Sequence, residues 1–62
     1  GKAESVLELL EDLGKIPKEL RERILSESNL PVLKQWLKAA AKSESLQDFL
    51  DQAGILDLDE RE

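Results

Sequence analysis

NLPVLKQWLKAAAKS, residues 29–43, is the longest amphipathic stretch of the chain. Its apolar side chains recur at the three- and four-residue spacing of one helix face. They are Leu30, Leu33, Trp36, Leu37, Ala40 and Ala41. Asn29 or Ser28 can accept the first free N–H groups of a helix, and Pro31 lies early enough in the first turn to be tolerated. The pattern predicts a helix over residues 30–42 as the central element of the fold.

Three shorter helices are predicted around this one, at about residues 3–13, 17–26 and 46–53. Each has apolar residues on one face. They are Val6, Leu7, Leu9, Leu10 and Leu13 in the first, Leu20, Ile24 and Leu25 in the second, and Leu46, Phe49, Leu50 and Ala53 in the last. Before the last helix, Ser45 is followed three residues later by Asp48, which resembles a capping box with Asp in place of Glu.

Further local signals mark the ends of these helices. Gly14 and Gly54 are placed to end the first and the last helix. Pro17 is a favoured first-turn residue, and Ile16 before it can fold back onto Leu20 or Arg21 as a hydrophobic staple. The resulting connections of two to four residues bring consecutive helices together in a compact bundle.

The composition also favours an all-α fold, a small bundle of about four short helices. Leucine supplies 13 of the 20 large apolar residues, whereas β-branched and aromatic residues are scarce. We predict one domain over residues 1–54 and an acidic C-terminal tail over residues 55–62. A chain of 62 residues buries only about 60% of its unfolded surface, so its core is thin and we expect it to form a homodimer.

Cysteine and histidine do not occur in the chain. Their absence excludes disulfides, thiolate and imidazole metal sites, cysteine nucleophiles and histidine-based triads. We therefore expect no catalytic residue, no metal site, no cofactor and no small-molecule substrate. No apolar run approaches the ~20 residues needed to cross a bilayer, and no signal-peptide pattern is visible. The sequence predicts a cytoplasmic protein without a membrane partner.

Charge is unevenly distributed along the chain. The net charge of −5 argues against a general affinity for nucleic acid, yet residues 29–43 carry +3. Lys34, Lys38 and Lys42 follow one another at four-residue spacing and form a basic strip. One interpretation is a strip that contacts phosphates. The favoured interpretation is a solvated helix face that attracts the acidic first and fourth helices or a partner's acidic tail.

Two groups of carboxylates lie outside this basic segment. They are Glu4, Glu8, Glu11 and Asp12 near the start and Asp57, Asp59, Glu60 and Glu62 near the end. Neither group has the glycine-containing loop spacing of an EF-hand or a recognisable nuclease motif. We interpret both as solvated acidic surface, which keeps a small domain soluble.

Trp36 lies on the wide apolar face of the central helix, where core packing is favoured over a ligand platform. A small bundle has difficulty enclosing an indole completely, and tryptophan is enriched at interface hot spots. The alanines at residues 39–41 form a small-residue patch that allows close helix approach. We therefore predict a homodimer interface on the first and third helices. It consists of Leu10, Leu33, Trp36, Leu37 and Ala40.

Four blocks of residues occur in a distinctive order along the chain. They are VLELLEDLG (6–14), IPKELRERI (16–24), NLPVLKQWLKAA (29–40) and SESLQDFL (43–50). Over about residues 2–50, this order resembles the C-terminal region of the bacterial Rpn-type proteins. These are the recombination-promoting nucleases, also described as YhgA-like putative transposases.

The resemblance implies a non-catalytic helical tail behind a nuclease domain of the restriction-endonuclease-like fold. The catalytic acids and lysine of that family lie upstream and have no counterpart in this chain, so no active-site residue is carried over. Families of this type are associated with self-association, with toxin–antitoxin and phage-defence systems, and with restraint of a toxic DNA-cleaving activity. The resemblance therefore implies an excised domain, or a short product of the same reading frame, that assembles or inhibits the full-length nuclease.

The sequence thus supports two hypotheses about function. The leading one is a non-catalytic protein-interaction module whose partners are a second copy of itself and the full-length nuclease form. The alternative is a helix-turn-helix-like DNA-binding domain that contacts DNA through Lys34, Lys38 and Lys42. We do not predict an enzyme, because surface carboxylates are the only candidates for acid/base chemistry.

Overall fold

The computed structural model describes residues 1–55 as four α-helices joined by short connections. They are α1 (Lys2–Glu11), α2 (Lys18–Leu25), α3 (Leu30–Lys42) and α4 (Leu46–Ala53). No strand occurs among residues 1–55. The prediction of a small all-α bundle of four helices is therefore confirmed, whereas the homodimer stays a prediction. Most of the predicted acidic tail, residues 56–62, lies outside the described residues.

The central position of α3 explains where the core lies. This helix packs against both α1 and α4, and α2 packs against α1. The side chains buried where these helices meet are Val6, Leu7, Leu10, Ile16, Leu20, Ile24, Leu33, Trp36, Ala39, Ala40 and Phe49. Phe49 is fully buried although α4 has only eight residues. The buried residues of α3 therefore contribute both to its packing against α1 and to its packing against α4.

The buried face of α3 is rotated relative to the predicted one. Ala39 is buried, whereas Ala41, which was predicted to face inward, is exposed. The prediction that Leu30 lies on the buried face is also wrong, since this residue is 59% exposed. It is the first residue of the helix. Leu25 is 46% exposed for a similar reason: it ends α2, one residue beyond the buried Ile24.

The ends of α4 follow the predicted capping pattern. The Asp48 N–H donates to Ser45 Oγ at 3.0 Å, which confirms the capping interaction. The Asp48 carboxylate accepts the N–H of Glu44 at 3.0 Å, one residue earlier than in a standard capping box. At the other end, Gly54 has φ of 75°, and the N–H of Ile55 donates to the Leu50 carbonyl at 3.0 Å. The predicted tail begins at Ile55, but this residue packs against the core.

The connection between α1 and α2 differs from the sequence prediction. The regular part of α1 ends at Glu11, and the N–H groups of Leu13 and Gly14 then donate to the Leu10 carbonyl at 2.9 and 3.2 Å. Pro17 is the N-cap of α2 in an extended conformation and not its first helical residue. Ile16, which precedes this N-cap, is buried in the core.

Replacing Phe49 by alanine is expected to cost about 3–5 kcal/mol in the free energy of unfolding, because the ring is fully buried beneath a short helix. Urea denaturation in dilute solution, followed by Trp36 fluorescence, measures the change. Glu8→Ala is the control, and we expect it to change stability by no more than about 0.5 kcal/mol because Glu8 is exposed on α1. Equal effects of the two substitutions would contradict this description of the core.

Candidate functional site

The predicted homodimer interface lies largely inside the chain. Leu10, Leu33, Trp36 and Ala40 are each no more than 5% exposed. Leu37 is the remaining member and is half-buried against the core. The first four side chains are covered by other helices of the same chain, so they offer no exposed apolar surface to a second copy. Among residues 1–55, the exposed large apolar side chains are instead those of Leu25 and Leu30.

These two leucines flank the connection between α2 and α3. Leu25 is the last residue of α2 and Leu30 is the first of α3, with residues 26–29 between them. Their exposures of 46% and 59% leave about half of each side chain in contact with solvent. We call Leu25 and Leu30 the corner leucines.

A polar cluster holds this corner together. The Arg23 Nη1 group donates to Glu27 Oε1 at 2.8 Å, and the Asn29 N–H donates to Glu27 Oε2 at 3.1 Å. The guanidinium carbon of Arg23 lies 5.1 Å from the centroid of the Trp36 ring, within cation–π distance. One carboxylate therefore connects the end of α2 to the N-cap of α3, and one guanidinium connects α2 to the core aromatic ring.

The electrostatics of Glu27 reflect these contacts. The hydrogen bond from Arg23, followed by the one from the Asn29 N–H, lowers the pKa of the Glu27 carboxyl below its ordinary value. The four-residue spacing of Arg23 and Glu27 is visible in the sequence as a helix-surface ion pair. Their contacts with Asn29 and Trp36 depend on how α2 meets α3, so sequence reasoning missed this cluster.

The basic strip is on the surface, as its helical spacing requires. Lys34, Lys38 and Lys42 are all exposed along α3. Within residues 1–55 none of the three ammonium groups forms an ion pair. The expected attraction to the acidic first and fourth helices is therefore not realised as ion pairs in this part of the chain. Among the described residues, the one ion pair between helices joins Glu11 of α1 to Arg21 of α2, at 3.9 Å.

A shallow depression lies beside the basic strip, between α3 and the end of α4. Its volume is about 280 Å³, and it is lined by Gln35, Lys38, Ala39, Lys42, Gln52 and Ala53. Gln52 Nε2 donates to Asp48 Oδ2 at 3.1 Å and to Ser43 Oγ at 3.4 Å. The Ser43 hydroxyl in turn donates to the Ala39 carbonyl at 2.6 Å. These bonds fix one wall of the depression, which we call the α3–α4 depression.

The acidic residues do not form a metal site in the described part of the chain. No group of three or more potential metal-ligating side chains converges among residues 1–55. Glu8, Glu11 and Asp12 of the first acidic group are exposed. The second group, at residues 57–62, lies outside the described residues. None of the described helices is long and apolar enough to cross a membrane.

Comparisons with known proteins do not assign the chain to a family. No protein-family model, no curated protein and no solved structure matches it. The features of the described residues that bear on function are therefore the corner leucines, the polar cluster and the basic strip.

The Arg23 and Glu27 contacts predict a pH-dependent contribution to stability. A carboxyl whose pKa is lowered by folding stabilises the protein above its unfolded pKa of about 4.3, and this contribution is lost as pH falls through the folded pKa. Glu27→Gln should therefore reduce the free energy of unfolding at pH 7, and its difference from wild type should shrink towards pH 3. Urea denaturation at both pH values measures the two differences.

Glu8→Gln serves as the matched control for this experiment. Glu8 is exposed on α1 and forms no ion pair within residues 1–55, so the same charge removal should have little effect at either pH. A Glu27→Gln effect that is the same at pH 7 and pH 3 would contradict the role of the carboxylate.

Proposed function

We propose that the chain is a non-catalytic protein-interaction module that associates with a second copy of itself. The observation that carries the proposal is the pair of corner leucines, because the other large apolar side chains of residues 1–55 are buried or partly buried. The scarcity of core supports it further: an 11-residue cluster forms the buried interior, which includes only two aromatic residues. Burial of the corner leucines between two chains would extend this small core.

The geometry of the corner suits a self-complementary contact. In a two-fold symmetric dimer each chain presents the same patch, so Leu25 of one copy can pack beside Leu30 of the other. Arg23 and Glu27 lie in the same segment and pair with each other, so their charges are compensated at the edge of such an interface. This interface uses the α2–α3 corner and leaves the core residues Leu10, Leu33, Trp36 and Ala40 in place.

The regulatory part of the proposal rests on the order of residue blocks. That order resembles the C-terminal region of Rpn-type nucleases, a family associated with self-association and with restraint of a toxic DNA-cleaving activity. A short C-terminal form could restrain the long form by occupying the same interface. We therefore propose that this chain assembles or inhibits a full-length nuclease of that type through the corner leucines. The proposed module supplies contacts and no catalytic group.

Replacing both corner leucines by glutamate should break self-association. We expect sedimentation equilibrium to show dimers for the wild-type chain and, for Leu25→Glu/Leu30→Glu, a dissociation constant at least ~100-fold higher. The matched control, Ser5→Glu/Ala41→Glu, adds the same charge at two other exposed positions and should leave the dissociation constant unchanged. A wild-type chain that stays monomeric, or equal effects of both variants, would rule out this interface.

The same three chains test the regulatory role. Co-expression of the wild-type chain or the control with a full-length Rpn-type nuclease should restore bacterial growth, whereas the corner variant should not. Immunoblots establish that all three chains accumulate equally. Failure of the wild-type chain to restore growth at normal expression would refute the inhibitory function without affecting the dimer.

DNA binding is the second candidate function, and the exposed basic strip favours it. Substituting Lys34, Lys38 and Lys42 together by glutamine should abolish binding to duplex DNA at low salt. If all three contact phosphates, the logarithm of the wild-type binding constant should fall with the logarithm of salt concentration with a slope of about −2.7. Lys2→Gln/Lys15→Gln/Lys18→Gln is the charge-matched control. An electrophoretic mobility assay that shows no wild-type shift at low salt would dismiss this function.

A further inference from the structure

The α3–α4 depression combines positive charge with small apolar surface. Lys38 and Lys42 supply two exposed ammonium groups on the α3 side, and Ala39 and Ala53 supply methyl groups between the helices. The side-chain amide of Gln35 adds hydrogen-bonding capacity at its edge. This combination suits an acidic peptide segment that also carries aliphatic side chains.

The acids of α4 do not neutralise this positive charge. Asp48 accepts hydrogen bonds from the Glu44 N–H and from Gln52, and Asp51 accepts one from Gln47 at 3.3 Å. Neither carboxylate pairs with a lysine of the basic strip within residues 1–55. The bundle itself therefore leaves the cations of the depression to solvent or to a ligand.

A segment of matching chemistry follows the depression in the sequence. Residues 56–62 read LDLDERE, with four carboxylates and one arginine, a net charge of −3, and two leucines that alternate with the first two acids. Their attachment point, Ile55, is only two residues beyond Ala53 in the wall of the depression. Seven residues span up to about 23 Å when extended, whereas the helical rise from Lys34 to Lys42 is about 12 Å. The extended segment is therefore longer than the strip, and it starts beside the depression that Lys38 and Lys42 line.

We propose that residues 56–62 bind the α3–α4 depression of their own chain, with the acids beside Lys38 and Lys42 and a leucine against Ala39 and Ala53. Individual surface ion pairs are weak, but a segment tethered this closely has an effective concentration in the millimolar range, which favours binding within the chain. When bound there, the acidic segment would compete with any phosphate-bearing ligand for the basic strip. This internal ligand is independent of the dimer proposed for the corner leucines.

Amide substitutions in the full-length chain test this internal contact. We compare Asp57→Asn/Asp59→Asn/Glu60→Gln with the charge-matched control Glu8→Gln/Glu19→Gln/Glu22→Gln in ¹H–¹⁵N correlation spectra at low salt. The first variant should shift the backbone amides of Gln35, Ala39 and Ala53, and the control should not. High salt should move the wild-type positions towards those of the first variant, because it screens surface charges.

A reversed charge pair tests the same contact from both sides. Lys38→Glu/Lys42→Glu should abolish the wild-type contact. Adding Asp57→Lys/Asp59→Lys to this variant should restore the contact and its effect on the amide chemical shifts at the depression. Circular dichroism establishes that each variant remains helical. Absence of any shift at the depression in the first tail variant would overturn the proposal. Wild-type shifts that disappear on dilution would also overturn it, because they would assign the contact to the tail of a second copy.

Discussion

The fold depends on one apolar face of α3 that must serve two neighbouring helices. Leu33, Trp36 and Ala40 lie on this face and are nearly inaccessible to solvent where α1 and α4 meet α3. Small residues at two of the buried α3 positions permit close approach, while the indole fills the wider space. Because α2 packs on α1 and α1 packs on α3, the position of α2 depends indirectly on this face of α3. A chain of this length has little other apolar surface with which to hold four helices.

Helical periodicity predicts the four helices, and local chemistry predicts the capping of α4, whereas Pro17 and Asn29 act as N-caps without a side-chain hydrogen bond. Periodicity predicts the buried face of α3 less well. Ser45 and Gly54 act at the ends of α4 as their local chemistry requires. On α3, Ala39 is buried where Ala41 was predicted to be. The two alanines have the same hydrophobicity, so only the way in which the helices cross decides which of them is buried. Leu25 and Leu30 deviate because a terminal helical residue has neighbours on one side only.

The candidate site shows the same division between local and tertiary information. A wide apolar stripe suggests surplus surface for a partner, yet four of the five predicted interface residues are buried within the bundle and Leu37 is half-buried against it. The corner leucines are exposed at the end of α2 and the start of α3, on either side of residues 26–29, and periodicity does not specify how the two helices meet there. Arg23 and Glu27 are recognisable as a helical pair, but the contact of Arg23 with Trp36 requires α2 and α3 to approach each other.

The two proposed contacts use separate ends of α3. Leu30 is at its start, whereas Lys38 and Lys42 lie eight and twelve residues further on, about 12 and 18 Å along the helix axis. The inner face is already committed to the core, so the bundle presents apolar surface at one end of this helix and positive charge towards the other. Local hydrogen bonds occupy the acids of α4, which preserves that positive charge for a ligand. Self-association through the corner and binding of the acidic tail can therefore occur together without competing for the same side chains.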